Sequence, residues 1–230
     1  MTKETSARVK NVTPLTNSIL RLDIEPEQYI DYKAGQYLEI LVDGNWLAYS
    51  IANAPLGAPH YELHIRHAAG NPYDEPLFAQ IKAHEKLSIR LPQGSCCLST
   101  FPTERPILFV VGGTGLAPAK AIIEEVLATS DPRKMALWWA VRSQSDLYLD
   151  EQLQAWSDHV PQFEYHYYLA DEDKRPMLDR LQKTYKEEIA DYELFLAGPF
   201  VMVYATRDRF LRMGVQRENM HSDAFSFEEK

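Results

Sequence analysis

The segment Gly112-Gly113-Thr114-Gly115-Leu116-Ala117-Pro118 is where chemistry is most legible in this sequence. It follows a continuous apolar run, Ile107–Val111, and precedes a stretch with helical spacing, Pro118–Ala128. Glycines at a strand-to-helix turn permit positive φ and close backbone approach, and the unpaired N–H groups that open the helix attract a phosphate. Pro118 suits a first helical turn, where its missing N–H costs nothing. The spacing is not G-x-G-x-x-G, so two readings stand: a cradle for a nucleotide phosphate, or a tight turn of any doubly wound domain. A place on the first strand of an α/β half favours the phosphate, because ligands sit at the carboxyl ends of such strands.

Other chemically capable residues say less by themselves. His84, His159, His166 and His221 lack metal-ligand spacing, so no metal site is expected. The two cysteines, Cys96 and Cys97, are neighbours, and a disulfide between them would be strained and staple nothing. A reducing cytoplasm is therefore the expected compartment. Two cysteines also cannot supply a four-cysteine iron–sulfur cluster. With no partnered base in view they read as packing residues.

These residues need a scaffold, and 230 residues with 45% apolar composition are enough for two packed domains. No apolar run reaches the length of a membrane span, and Met1-Thr2-Lys3-Glu4 leads into charged residues, so neither a span nor a secretory signal is expected. The net charge of −9 argues against a nucleic-acid partner. It suits plain solubility, or an acidic face that docks a basic partner.

The first hundred residues read as short strands, Arg8–Val12, Ser18–Ile24, Tyr37–Val42, Leu47–Ile51, Tyr61–His67 and Lys86–Leu91, with a helix over Leu77–Ala83. In Tyr61–His67, Tyr, Leu and Ile alternate with Glu, His and Arg, the pattern of a half-buried strand. Beyond Pro102-Thr103-Glu104-Arg105-Pro106, strands at Ile107–Val111, Met135–Val141, Phe163–Leu169 and Tyr192–Ala197 alternate with helices at Pro118–Ala128, Ser145–Trp156, Lys174–Ile189 and Phe200–Met213. The expected fold is β plus α/β. An antiparallel six-stranded barrel over 1–102 precedes a Rossmann-like parallel α/β domain over 103–230.

Five ordered segments carry a family resemblance over about residues 7–227. Gly112–Pro118 resembles the G-G-T-G-[IL]-[AT]-P segment of the ferredoxin–NADP⁺ reductase superfamily. Ala197-Gly198-Pro199-Phe200-Val201-Met202 resembles its C-G-P-x-x-M segment. Ala140-Val141-Arg142 with Asp146-Leu147-Tyr148 resembles G-x-R-x-x-x-D-[IL]. Leu47-Ala48-Tyr49-Ser50-Ile51-Ala52-Asn53 resembles the R-x-[YF]-[ST] flavin motif, and Gly35-Gln36-Tyr37 with Pro92-Gln93-Gly94 matches barrel segments in order. The length, the Ala-Gly-x-Phe-x-Met variant and Ser222-Asp223-Ala224-Phe225 look most like the NAD(P)H:flavin oxidoreductases.

The resemblance implies hydride transfer from NADH or NADPH to FAD or FMN. It places Tyr49 against the flavin ring and Ser50 near its reactive nitrogen, with Ile51, His64 and Ile65 beside them; read from alternation alone, His64 is a surface residue. Gly112, Gly113, Thr114, Gly115 and Pro118 would hold the pyrophosphate, with Arg142 on a phosphate. Ala197, Gly198 and Pro199 would border the nicotinamide, while Met202 and Phe200 suit helix packing equally. Asp223, as a second catalytic residue beside Ser50, and Phe225 would approach the flavin from the carboxyl terminus.

Two departures bear on the flavin. Leu47 stands where the motif has its phosphate-binding arginine. Gly70-Asn71-Pro72-Tyr73-Asp74 replaces G-x-x-[ST], with Asp74 repelling phosphate and Arg66 or Lys33 as candidate substitutes. Losing one charge-assisted contact costs roughly 1.5–3 kcal/mol, about tenfold or more in affinity. The expected activity is reduction of an exchangeable flavin released in reduced form. A reductase component with bound FAD, serving a ferredoxin or oxygenase partner, is the alternative, and a non-catalytic protein that has lost flavin a third.

Overall fold

A computed structural model describes residues 2–67, 74–84 and 86–227; the segment Gly70–Tyr73 lies outside the described residues. The chain builds two sheets. The first has six antiparallel strands, β1 (Lys3–Pro14), β2 (Ile19–Pro26), β3 (Tyr37–Val42), β4 (Asn45–Ser50), β5 (Tyr61–Arg66) and β6 (Lys86–Gln93), in the order β4-β3-β6-β1-β2-β5. It curls until its two edges meet, where Ile51 bridges Leu63 and the Ala52 N–H donates to the Glu62 carbonyl at 2.7 Å. Alternation decides what lies inside: Leu38, Ile40 and Val42 of β3 and Leu87, Ile89 and Leu91 of β6 form one buried cluster. The helix α1 (Asp74–His84) adds Leu77 and Ile81 to that cluster.

The second sheet is parallel, in the order β11-β10-β7-β8-β9, from β7 (Ile107–Gly112), β8 (Met135–Val141), β9 (Phe163–Leu169), β10 (Glu193–Ala197) and β11 (Met220–His221). Between them run α2 (Leu116–Ala128), α3 (Asp150–His159), α4 (Met177–Thr184) and α5 (Phe200–Arg212). Every residue of β7 is buried. Ile107, Phe109 and Val111 join one core with Ile122 and Val126 of α2. Leu108 and Val110 point the other way, into a core with Leu181 of α4 and Phe210 of α5. Covering both faces of a strand is what its unbroken apolar sequence requires.

Four expectations shift in the folded chain. The helix expected over Ser145–Trp156 starts at Asp150. Ahead of it the Asp146 carboxylate accepts the Ser143 N–H and closes a separate short turn over Gln144–Asp146. The helix expected over Lys174–Ile189 is α4 alone, since Pro176 caps its start and Tyr185 ends it. The two residues of β11 carry no periodicity from which a strand could be read. Finally, β5 is buried on both faces rather than half-buried, with Glu62 at 4% and His64 at 6% exposure, because charged and aromatic partners from the second half of the chain cover its outer face.

Candidate active site

The carboxyl ends of β7, β8 and β10 open onto a cleft of about 760 Å³ whose far wall is the barrel. The glycine turn forms its floor. After β7 the chain makes a tight turn over Gly113–Gly115, with Gly113 at φ +54°, and enters α2. Pro118 sits in the first turn of that helix. The Gly113 carbonyl is held by the Trp139 indole N–H at 2.9 Å. A Cβ on Gly113 would meet only the Arg66 guanidinium, 3.8 Å away, so the backbone there faces open cleft.

The other glycines of this region serve backbone-on-backbone packing. A Cβ on Gly115 would lie 2.4 Å from the Ala197 carbonyl oxygen, and one on Gly198, which holds φ +132°, would lie 2.8 Å from the Gly112 carbonyl oxygen. The first and last nucleotide-type segments are thus pressed together with no room for a side chain. Gly112 differs in admitting a side chain, with the Met202 sulfur 2.9 Å from where a Cβ would stand. Packing thus accounts for Met202, although it also lines the cleft.

Thirteen of the residues singled out from sequence line this one cleft: Gly112, Gly113, Thr114, Gly115, Pro118, Arg142, Ala197, Gly198 and Pro199 on one side, Tyr49, Ser50 and His64 on the other, with Asp223 at the end. Tyr49 and Ser50 come from the last residues of β4, and Ser50 pairs with Tyr37 in the ladder. Burial, with a smaller push from the Asp74 charge, raises the Tyr49 hydroxyl to about 12, so it stays protonated. Asp223 packs over Gly94, whose missing side chain allows the approach. Burial raises its carboxyl above the ordinary range, opposed by hydrogen bonds from the Cys96 thiol and the Ser95 and Cys96 N–H groups. Reciprocally, burial and then Asp223 push the Cys96 thiol up to about 12.

Three of the sequence-derived residues stand elsewhere. Ile51 and Ile65 are 0% and 1% exposed inside the barrel core, where alternation on a curled sheet sends every second side chain. Phe225 lies under the Arg217 guanidinium, 3.9 Å from its ring centre, and does not line the cleft. Phe227 does, its ring tilted against that of Phe200 with centres 5.7 Å apart. The terminal segment Asp223–Phe227 is a tight turn, and its helical rotation exchanges the roles of two aromatics that look equivalent in sequence. Ser18 and Arg66 also line the cleft. Arg66 is exposed there, whereas Lys33 is not among the lining residues.

The two positions that depart from the flavin motif have structural places of their own. Leu47 packs against the barrel core. Asp74 and Glu75 occupy the first turn of α1, so this helix end already carries its own carboxylates. Among the described residues no group of three His, Cys, Asp or Glu could hold a metal ion, and no helix is long and apolar enough to cross a membrane.

Comparison with known proteins agrees with this geometry. Residues 109–208 match the model of the oxidoreductase NAD-binding domain. The chain is 32% identical over 216 residues to reductase component 1 of a terephthalate 1,2-dioxygenase from Comamonas sp, covering 91% of this chain and 64% of that protein. It is 28% identical to an NAD(P)H-flavin reductase of Vibrio harveyi, covering 96% of this chain and 98% of that one. Among solved structures, an Amycolatopsis cytochrome P450 reductase superposes with a TM-score of 0.84 at 27% identity, over 96% of this chain and 69% of that one. The chain thus carries an oxidoreductase NAD-binding domain and is similar, over nearly its whole length, to flavin reductases and to reductase components of oxygenase systems.

Proposed function

We propose that this chain oxidises NADH or NADPH and passes the hydride to a weakly held flavin, FMN, FAD or riboflavin, which leaves in reduced form. The observation that carries the reading is the meeting of Tyr49 and Ser50 with the glycine turn and Ala197–Pro199 across one cleft. We further propose a flavin-binding domain over 1–102, a nucleotide-binding domain over 103–230, and a reducing cytoplasm as the setting for two free buried cysteines.

The residues present fit both groups. The open backbone at Gly113, in the turn that leads into α2, gives a pyrophosphate room to approach the amino end of that helix. Arg142, exposed at the end of β8, and Arg66, exposed at the end of β5, supply cations along the same cleft. When bound, the nicotinamide and flavin rings supply the hydride chemistry; the protein aligns them and excludes water. Tyr49, neutral and half-buried, offers an aromatic face, and Ser50 a hydroxyl beside it. Asp223, with its raised carboxyl, is placed to hold a proton at the cleft end. Leu47 and the carboxylates at the α1 start leave a flavin phosphate without a dedicated anchor, which is why the flavin is read as a substrate.

The test is direct. The purified chain should be colourless and should oxidise nucleotide only when flavin is added. A second reading, bound FAD serving an oxygenase or ferredoxin partner, is favoured by the likeness to the Comamonas reductase component, of which the chain spans 64%. Yellow protein that reduces an external acceptor without added flavin would select it. Absence of turnover with folded protein and any flavin would remove both.

A further inference from the structure

Four contacts run in series from the barrel to the glycine turn, and the reaction proposed above uses none of them directly. Glu62 and His64 stand on the outer face of β5, their side chains 6% and 1% exposed. His64 Nε2 lies 2.8 Å from Glu62 Oε1. Burial alone would raise the Glu62 carboxyl, but the His64 hydrogen bond and the Lys120 and Arg21 charges hold it at about 2. An ionised carboxylate only accepts, so Nε2 carries the proton of this contact. Burial lowers His64 below its ordinary range, which keeps the ring neutral. Nδ1 is then an acceptor, and the Tyr148 hydroxyl, 3.2 Å away, donates to it. Tyr148 packs edge-on against Trp139 at 5.1 Å, and the Trp139 N–H holds the Gly113 carbonyl.

Charges from neighbouring elements fix the barrel end of this series. Lys120 of α2 reaches Glu62 at 3.2 Å, Glu124 at 2.7 Å and the Ala52 carbonyl at 3.1 Å. Arg21 of β2 bonds Glu62 at 3.2 Å and Asp23 at 2.8 Å. The helix that begins at the glycine turn is therefore tied to the barrel at Lys120. Tyr148 and Trp139 add a second tie at the turn itself.

We infer that His64 and Tyr148 are positioning residues: one fixed tautomer of His64 orients the Tyr148 hydroxyl, which seats Trp139 and so sets the Gly113 turn against the barrel. The kinetic consequence rests on the hydride-transfer reading; the structural consequence does not. Hydride transfer is sensitive to the approach of two rings held by different halves of the chain, so a small shift of the turn slows the chemical step more than it weakens binding.

Tyr148→Phe keeps the ring and removes only the donor. In the full chain without flavin or nucleotide, imidazole nitrogen shifts should show His64 protonated at Nε2 at about pH 7.5. Hydrogen exchange at the Trp139 indole should be about fivefold faster or more in Tyr148→Phe. With saturating NADH and FMN, the stopped-flow rate of flavin reduction should fall about five- to tenfold, the effect of one net hydrogen bond. The deuterium isotope effect on that rate should rise, and the Kd for NAD⁺ should stay within about twofold. His64→Asn, whose amide oxygen can stand near the Nδ1 position, should recover most of the rate, and His64→Leu should not. It carries the same test if Tyr148→Phe is unstable. A His64 protonated at Nδ1, or unchanged Trp139 exchange, would overturn the inference. So would a rate loss matched by lost NAD⁺ affinity at constant isotope effect. If the unaltered chain turns over no nucleotide with any flavin, the functional reading fails by itself, and the two magnetic-resonance measurements decide the positioning role.

Discussion

Gly115 and Gly113 stand two residues apart and should respond to substitution for different reasons. In Gly115→Ala the new Cβ falls 2.4 Å from the Ala197 carbonyl oxygen and 2.7 Å from the Gly198 nitrogen, both backbone atoms that no rotamer change can move. Relieving that overlap means parting the end of β10 from the turn, an overpacking cost of about 2–3 kcal/mol. For a chain of this size each kcal/mol lowers Tm by roughly 2–4 °C, so a fall of about 4–12 °C is expected. In Gly113→Ala the Cβ meets open space, and only the positive φ of +54° opposes it, at about 1–2 kcal/mol. Thermal unfolding followed by circular dichroism, with NAD⁺ titration of each variant, separates the cases. Gly115→Ala should lose stability and binding together. Gly113→Glu, which projects a carboxylate into the cleft beside Arg66, should abolish nucleotide oxidation while flavin binding stays largely intact. A Gly115→Ala variant as stable as the parent would refute the close approach of the two segments. Equal loss of flavin and nucleotide binding in Gly113→Glu would refute the assignment of the turn.

Three further outcomes follow from the charges. Asp74→Asn should strengthen FMN binding about three- to tenfold while leaving riboflavin unchanged, as read by flavin fluorescence; an equal effect on both would show that no phosphate approaches α1. Stability should fall on acidification. The lowered Glu62 carboxyl contributes roughly 3 kcal/mol that is whole above its ordinary value of 4.5 and lost as pH falls toward about 2, and the lowered His64 adds a loss beginning below 6.5. Urea midpoints across that range should drop, and Glu62→Gln should flatten the lower part. Cys96, buried beside Asp223, should resist thiol reagents at about pH 8 in the folded chain and react once it is unfolded; rapid labelling of the native thiol would contradict its placement.

Local patterns made much of this molecule legible. Ile107–Val111 is continuous and apolar because both its faces are covered, and Tyr37–Val42 alternates because only one of its faces is. The glycine turn was readable for a related reason: side chains are missing where backbone must meet backbone or leave a space. Illegible were features set by what packs across a gap. Glu62 and His64 look like surface residues on an alternating strand, and nothing nearby announces the Lys120 and Tyr148 that bury them. Phe225 and Phe227 differ only by two positions in a turn, and that rotation decides which ring reaches the cleft. Short helices failed likewise, because the Asp146–Ser143 cap and Pro176 redirect the chain within patterns that average to helix.

By itself the sequence determined the two sheet types, their order along the chain, and the glycine turn between β7 and α2, since these follow from periodicity and from residues whose backbone freedom is local. The tertiary structure decided that this turn faces Tyr49, Ser50 and His64, and that Ile51 and Ile65 point away from it. That decision rests on contacts between residues far apart in the chain, such as Lys120 with Glu62 and Trp139 with Gly113, and no local pattern encodes such pairings.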